Sequence, residues 1–162
     1  LRDLDENIRK NPNFNSYCGG TIQVDLKNKR INRIIGMSNL YKYLPYAQLP
    51  HPSFLIKKSI LLKLNKPFDN SLKIASDYKQ QLVLRKKKLW KNCNLNQIIS
   101  IMPIGGLSNK NKLSIFNGFL ETIIFSFKMF NVRSLYILIM KILLNIYSKI
   151  NKGKIKFKDI NY

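Results

Sequence analysis

The sequence predicts an α/β chain: a mixed sheet with flanking helices, followed by further helices at the C-terminal end. Three observations carry that class. Two β-type runs flank a polar turn near residues 25–29, a helix register begins at Ser76, and two long apolar helix-type segments occupy 113–129 and 133–150. The chain has 162 residues, 45% of them hydrophobic, which suffices for the core of one ordinary domain and excludes wholesale disorder. Gly 7 and Pro 6 exclude collagen-like and linker-like chains.

The elements follow in order. Leu1, Leu4 and Ile8 recur at helical spacing over residues 1–10, and Asn11-Pro12-Asn13 stops that helix. Ser16 to Val24 and Arg30 to Ile35 read as strands of a hairpin whose turn is Asp25-Leu26-Lys27-Asn28-Lys29. Pro45, Pro50 and Pro52 among Tyr41, Tyr43 and Tyr46 make residues 36–52 an irregular aromatic loop. A short helix is expected from Lys57 to Leu64, ending before Pro67. Ser76 is placed to cap a helix running to Lys88, with Tyr78, Leu82 and Leu84 facing inward. Asn96 to Met102 is a short apolar run expected to form a buried strand, and Gly105-Gly106 turns the chain. The last two helices part near Asn131 and are expected to carry Lys and Arg on their outer sides.

Charge and cysteines narrow the function classes. Lys+Arg 29 against Asp+Glu 8 gives +21, which favours an anionic partner: nucleic acid, an anionic membrane face or a phosphorylated substrate. Nearly all of that charge is Lys, with Arg only at Arg2, Arg9, Arg30, Arg33, Arg85 and Arg133. Bidentate phosphate or base recognition favours Arg, so no specific nucleic-acid partner is expected. Cys18 and Cys93 are far apart, and with one His they make no zinc site, so two reduced thiols are expected. Residues 1–15 are charged and lack the apolar stretch of a signal peptide. Between Phe116 and Ile150 the charges Glu121, Lys128, Arg133, Lys141 and Lys149 interrupt every apolar run, so no membrane crossing is expected. The start at Leu1 reads as a piece of something longer.

Few groups can do chemistry. Asp77 lies in the first turn of a helix, where the dipole keeps a carboxylate ionised; it either serves as a base or simply complements the helix N-terminus. His51 stands between Pro50 and Pro52, a setting equally suited to a loop histidine with one hydrogen bond. Asp3-Leu4-Asp5 matches a DxD pattern, but no apolar strand precedes it, and its helical spacing places it on a solvated face. Arg85-Lys86-Lys87-Lys88-Leu89-Trp90-Lys91 could grip phosphates, yet it also fits a helix C-terminus, where cations oppose the dipole. Gly105-Gly106 lacks the context of a phosphate loop.

Taken in order, four segments resemble one family. His51-Pro52-Ser53-Phe54-Leu55-Ile56-Lys57-Lys58, Pro67-Phe68-Asp69, Ile74-Ala75-Ser76-Asp77-Tyr78 and Gly105-Gly106-Leu107-Ser108 look like the second half of a family 2 glycosyltransferase that builds bacterial surface polysaccharides. The resemblance covers about residues 1–115 and departs from the family pattern at Gly19-Gly20 and at Lys66-Pro67. It implies the acceptor-side half of a GT-A domain over 1–112 and a helical extension over 113–162, with the nucleotide-binding units lying before residue 1.

The resemblance further implies an inverting transfer from a nucleotide sugar to a glycan or lipid-linked acceptor. Asp77 would be the catalytic base, with His51, Ser53, Lys57, Gly105 and Gly106 lining the acceptor and donor cleft. A divalent cation, Mn²⁺ or Mg²⁺, would be bound mostly by the preceding half, so this chain alone is expected to be inactive. The implied location is cytoplasmic, with peripheral contact on the inner membrane face through the last two helices. The alternatives are a non-enzymatic basic module binding nucleic acid or an anionic membrane, and an inactive gene remnant. Oligomeric state is left open by the sequence.

Overall fold

A computed structural model describes residues 2–36, 46–106 and 111–150. Along the chain run α1 (Arg2–Lys10), β1 (Ser16–Asp25), β2 (Arg30–Ile35), a single 3₁₀ turn (His51–Ser53), β3 (Phe54–Ile56), α2 (Lys58–Leu61), α3 (Ser76–Lys86), β4 (Asn92–Pro103), α4 (Lys112–Phe130) and α5 (Arg133–Ile150). The described residues therefore form a mixed α/β fold of one four-stranded sheet and five helices.

β1 is the spine of the sheet. β4 pairs with it in parallel along one edge from Ser16 to Val24, which leaves the other edge to β3 at Ser16–Cys18 and β2 at Thr21–Asp25, both antiparallel. Flanked on both edges, all ten residues of β1 are buried, polar ones included. Each polar side chain has a partner, as burial demands. Ser16 Oγ donates to Asn92 Oδ1 (3.0 Å), Thr21 Oγ1 donates to Ser53 Oγ (2.9 Å), and Gln23 Oε1 accepts from Arg33 Nε (2.8 Å). Asp25 accepts from the Asn28 backbone N–H and side chain (3.0 and 2.8 Å), closing the polar turn that the sequence predicts.

Gly19 marks where β4 bulges: three residues of β1, Cys18 to Gly20, span five of β4, Asn94 to Ile98. A Cβ at Gly19 would lie 2.5 Å from Ile99 and 2.6 Å from Gln97 O, so only glycine fits there.

Four expectations are corrected. The strand expected at 96–102 runs from Asn92 to Pro103 and is mostly half-buried, because among the described residues β4 pairs with β1 alone. α2 is shorter than Lys57–Leu64; beyond Leu61 its register tightens to i→i−3 bonds, with Lys63 N–H on Ile60 O (3.2 Å) and Leu64 N–H on Leu61 O (3.0 Å). Ser76 is not a cap but the first residue of α3, and its Oγ accepts from Asp69 N–H (2.9 Å) instead. α3 ends at Lys86 rather than Lys88, closed by Lys88 in the left-handed region (φ 58°), with Leu89 N–H returning to Leu84 O (2.9 Å). Tyr78, Leu82 and Leu84 do face inward and are all but fully buried. Residues 37–45 of the aromatic loop, and Leu107 and Ser108 of the last family-like segment, lie outside the described residues.

Two apolar clusters join the sheet to the helices. Cys18, Leu49, Phe54, Leu84 and Leu144 share one, and Ala75, Tyr78, Leu82, Phe125 and Ile137 share the other. α4 and α5 thus pack on the same body as the sheet and α3.

Candidate functional site

The site is assembled around the start of α3. Asp69 forms a turn by accepting from the backbone and hydroxyl of Ser71 (3.0 and 2.6 Å), and it pairs with Lys79 of α3. The Lys79 ammonium, with the Ser71 donors, holds the Asp69 carboxyl well below the ordinary carboxylate range. With Asp69 N–H on Ser76 Oγ, the Phe68-Asp69 turn is locked to the helix entrance.

The second anchor comes from α4. Glu121 accepts three backbone N–H groups, from Lys73 (2.9 Å), Ile74 (3.0 Å) and Ala75 (2.9 Å). Burial alone would raise its pKa, but the three donors lower it, and the net displacement is downward. Gly118, one turn earlier, lets α4 approach: a Cβ there would lie 2.8 Å from Ile74 Cγ2. The negative charge at the α3 N-terminus is therefore supplied by Glu121 from a neighbouring helix as well as by Asp77.

α3 in turn holds residues 46–50 through polar side chains one and two turns apart. The Tyr78 hydroxyl donates to Tyr46 O (2.7 Å), and Gln81 both accepts from Leu49 N–H and donates to Leu49 O (each 2.9 Å). Arg85 donates to Ala47 O (2.6 Å) while its guanidinium lies 3.6 Å over the Trp90 ring. The start of the basic run is thus a structural clamp.

Between these anchors lies a cavity of about 310 Å³, walled by β2, residues 48–50, the start of α3, and α4 and α5. Asp77 lines it, half-buried in the first turn of α3 with Oδ1 accepting from Tyr78 N–H (2.6 Å). Around it stand Arg33, Lys141, Asn145 and Ser148, with Leu49, Pro50, Ile74 and Phe119 as apolar walls. Lys141 donates to Thr122 Oγ1 (2.6 Å) and lies 5.2 Å over the Tyr78 ring. Burial pushes its ammonium down to about 8, against the upward pull of Asp77 and Glu121. Arg33 reaches across to Asn145 Oδ1 (2.9 Å), tying β2 to α5. A carboxylate, two cations and apolar walls can orient a polyhydroxyl or phosphorylated group and accept a proton from it.

Of the residues singled out from the sequence, only Asp77 lines this cavity. His51 follows the Pro50 wall, is exposed, and packs edge-on against Phe68 (5.9 Å between ring centroids). Ser53 has no exposed surface; its hydroxyl donates to Gly19 O (2.9 Å) and accepts from Thr21, so it ties β3 to β1. Lys57 donates to Pro12 O (2.6 Å) on the surface. Gly105 (φ +102°) and Gly106 are exposed, with open space around them. Asp5, from the DxD pattern, pairs with Arg9 on the exposed side of α1 (2.9 Å). Burial drives the Cys18 thiol up to about 12, which makes it an inert core group. Among the described residues, no three His, Cys, Asp or Glu side chains come together to hold a metal ion.

Sequence reasoning missed Arg33, Lys141, Asn145 and Ser148. The signal for the last three was present, since they recur at i, i+4 and i+7 within an apolar helix. Comparison with known proteins finds no match among family models, curated proteins or solved structures.

Proposed function

We propose that the chain is the acceptor-side portion of an inverting glycosyltransferase that uses a nucleotide sugar and acts in surface-glycan assembly. The observation that carries this reading is Asp77, fixed at a helix entrance and opening onto a walled cavity. The order of the four family-like segments supplies the reaction class, and the implied fold is a partial GT-A domain. In this reading Asp77 takes the proton of an acceptor hydroxyl as that oxygen attacks the anomeric carbon. The bond from that carbon to the nucleoside diphosphate breaks on the opposite face, and the diphosphate leaves with the bonding pair. Arg33 and Lys141 orient acceptor hydroxyls or a phosphate from the cavity walls.

A divalent cation, Mn²⁺ or Mg²⁺, would neutralise the leaving diphosphate in such an enzyme. The described residues do not form a donor set for it, and no step is assigned to it in this chain. Nucleotide-sugar donors place the reaction in the cytoplasm or at the inner membrane face.

The test is transfer by a protein in which this chain is joined to its donor-binding half, assayed with a panel of nucleotide sugars. Asp77→Asn is expected to lower kcat by about 10²–10⁴-fold with the fold intact. Unchanged turnover in that variant removes Asp77 from the mechanism.

A further inference from the structure

We propose that α4 and α5 form a platform that docks on an anionic lipid surface. The two helices are apolar on both faces. Against the domain they bury Phe125 on α4 and Ile137 and Leu144 on α5, beside small and polar residues: Gly118, Thr122 and Ser126 on α4, and Ser134, Lys141 and Ser148 on α5. Outward they present Phe116, Phe127, Leu135, Ile139, Ile146 and Ile150, each at least half exposed. Fourteen of the twenty exposed large apolar side chains among the described residues fall between Leu113 and Ile150. A helix surface in water carries its apolar stripe toward the core and polar residues opposite it, so a second apolar face turned outward calls for a partner.

Charge selects the partner. The single carboxylate of the pair, Glu121, is consumed by the backbone of residues 73–75. Lys112, Lys128, Arg133 and Lys149 stand exposed at or near the helix ends. A second copy carrying the same +21 charge is repelled, and lysine is depleted from protein interfaces. Apolar faces rimmed by snorkelling cations suit an anionic headgroup layer.

Among the described residues, α4 is the one helix long and apolar enough to cross a membrane by length and composition, a candidate that the charge spacing did not reveal. Crossing would strip Glu121 from three backbone donors and Phe125 from the Tyr78 core, so α4 lies along the surface instead. Ile115 and Ile142 belong both to the outer face and to the cavity wall. Docking therefore brings the cavity to the lipid, where a lipid-linked acceptor resides. That last consequence rests on the glycosyl-transfer reading; the docking does not.

The test is flotation of the chain with phosphatidylcholine vesicles, with and without phosphatidylglycerol, and needs no sugar donor. Binding is expected only with phosphatidylglycerol, and it should weaken as salt rises. Replacing Lys112, Lys128, Arg133 and Lys149 by Gln one at a time is expected to weaken it by about fivefold each. A joint Phe116→Gln, Phe127→Gln, Ile139→Gln and Ile146→Gln variant, its fold checked by circular dichroism, is expected to lose at least about tenfold. Three results overturn the proposal: no vesicle binding, binding untouched by the joint Gln variant, or concentration-dependent dimers that the joint variant disperses.

Discussion

Replacing Gln81 by Met tests how α3 holds the cavity wall. Gln81 is fully buried, and its amide satisfies both the N–H and the carbonyl of Leu49, itself only 1% exposed. Met has nearly the same volume, so no cavity opens, and the loss is confined to two buried backbone groups without partners. Each costs about 1–3 kcal/mol, and burying an apolar thioether in place of an amide returns about 1 kcal/mol, which leaves a net loss of about 1–5 kcal/mol. With a urea slope of about 2 kcal/mol/M, the unfolding midpoint should fall by about 0.5–2.5 M. Amide exchange at Leu49 should accelerate with it, because that N–H loses its acceptor. A midpoint within about 0.2 M of the parent, with Leu49 still protected, refutes the clamp.

Glu121→Gln keeps the shape but turns an amide N–H₂ toward backbone donors, and it should cost about 1–3 kcal/mol in urea unfolding. Because the folded-state pKa of Glu121 is lowered, its contribution is present at neutral pH and lost on acidification, so parent and variant should converge below about pH 4. Lys88→Gly relieves a left-handed residue (φ 58°) at the end of α3 and should gain about 0.5–1 kcal/mol, read as a rise of about 2–4 °C in Tm. Lys141, pushed down to about 8, binds its proton less well folded than unfolded, so it adds stability as pH rises from about 8 to about 10.5. Cys18, pushed up to about 12, works the other way above about 9, so the informative curve is the parent minus Lys141→Met. That difference should climb across pH 8–10.5, and a flat difference rules out burial as the cause of the Lys141 shift.

Local patterns were legible where the chain decides locally. The hairpin follows from Asp25 and Asn28 closing their own turn, and α4 and α5 break at Asn131, whose φ of 50° suits the residue type. Long-range competition hid the rest. Ser76 has the composition of a cap, but Asp69, seven residues away, takes its hydroxyl and Glu121 supplies the anion from α4. The length of β4 is set by β1, which pairs with it from Asn92 to Pro103 well beyond the apolar core of the run. The family resemblance puts Ser53 in a cleft, whereas Thr21 and Gly19 draw its hydroxyl inside.

The candidate site shows the same division. A carboxylate in a first helical turn is a local signal that fits a base or a plain helix terminus, and the family resemblance singles out Asp77; the cavity it lines is made by residues far along the chain. The expectation that Lys faces outward on the last helix follows from treating apolar residues as the buried set. Arg133 and Lys149 do face outward, and the assumption fails only at Lys141: small residues beside it leave space that its stem fills while its ammonium reaches Thr122. The period of Lys141, Asn145 and Ser148 marks one face but does not say which way it points. Only the packing partners decide that, and here they are α4 and β2, which together with the start of α3 wall the cavity around the proposed base. The inward polar stripe and the outward apolar face are thus two sides of one choice, and the surface that the site faces follows from how the site is lined.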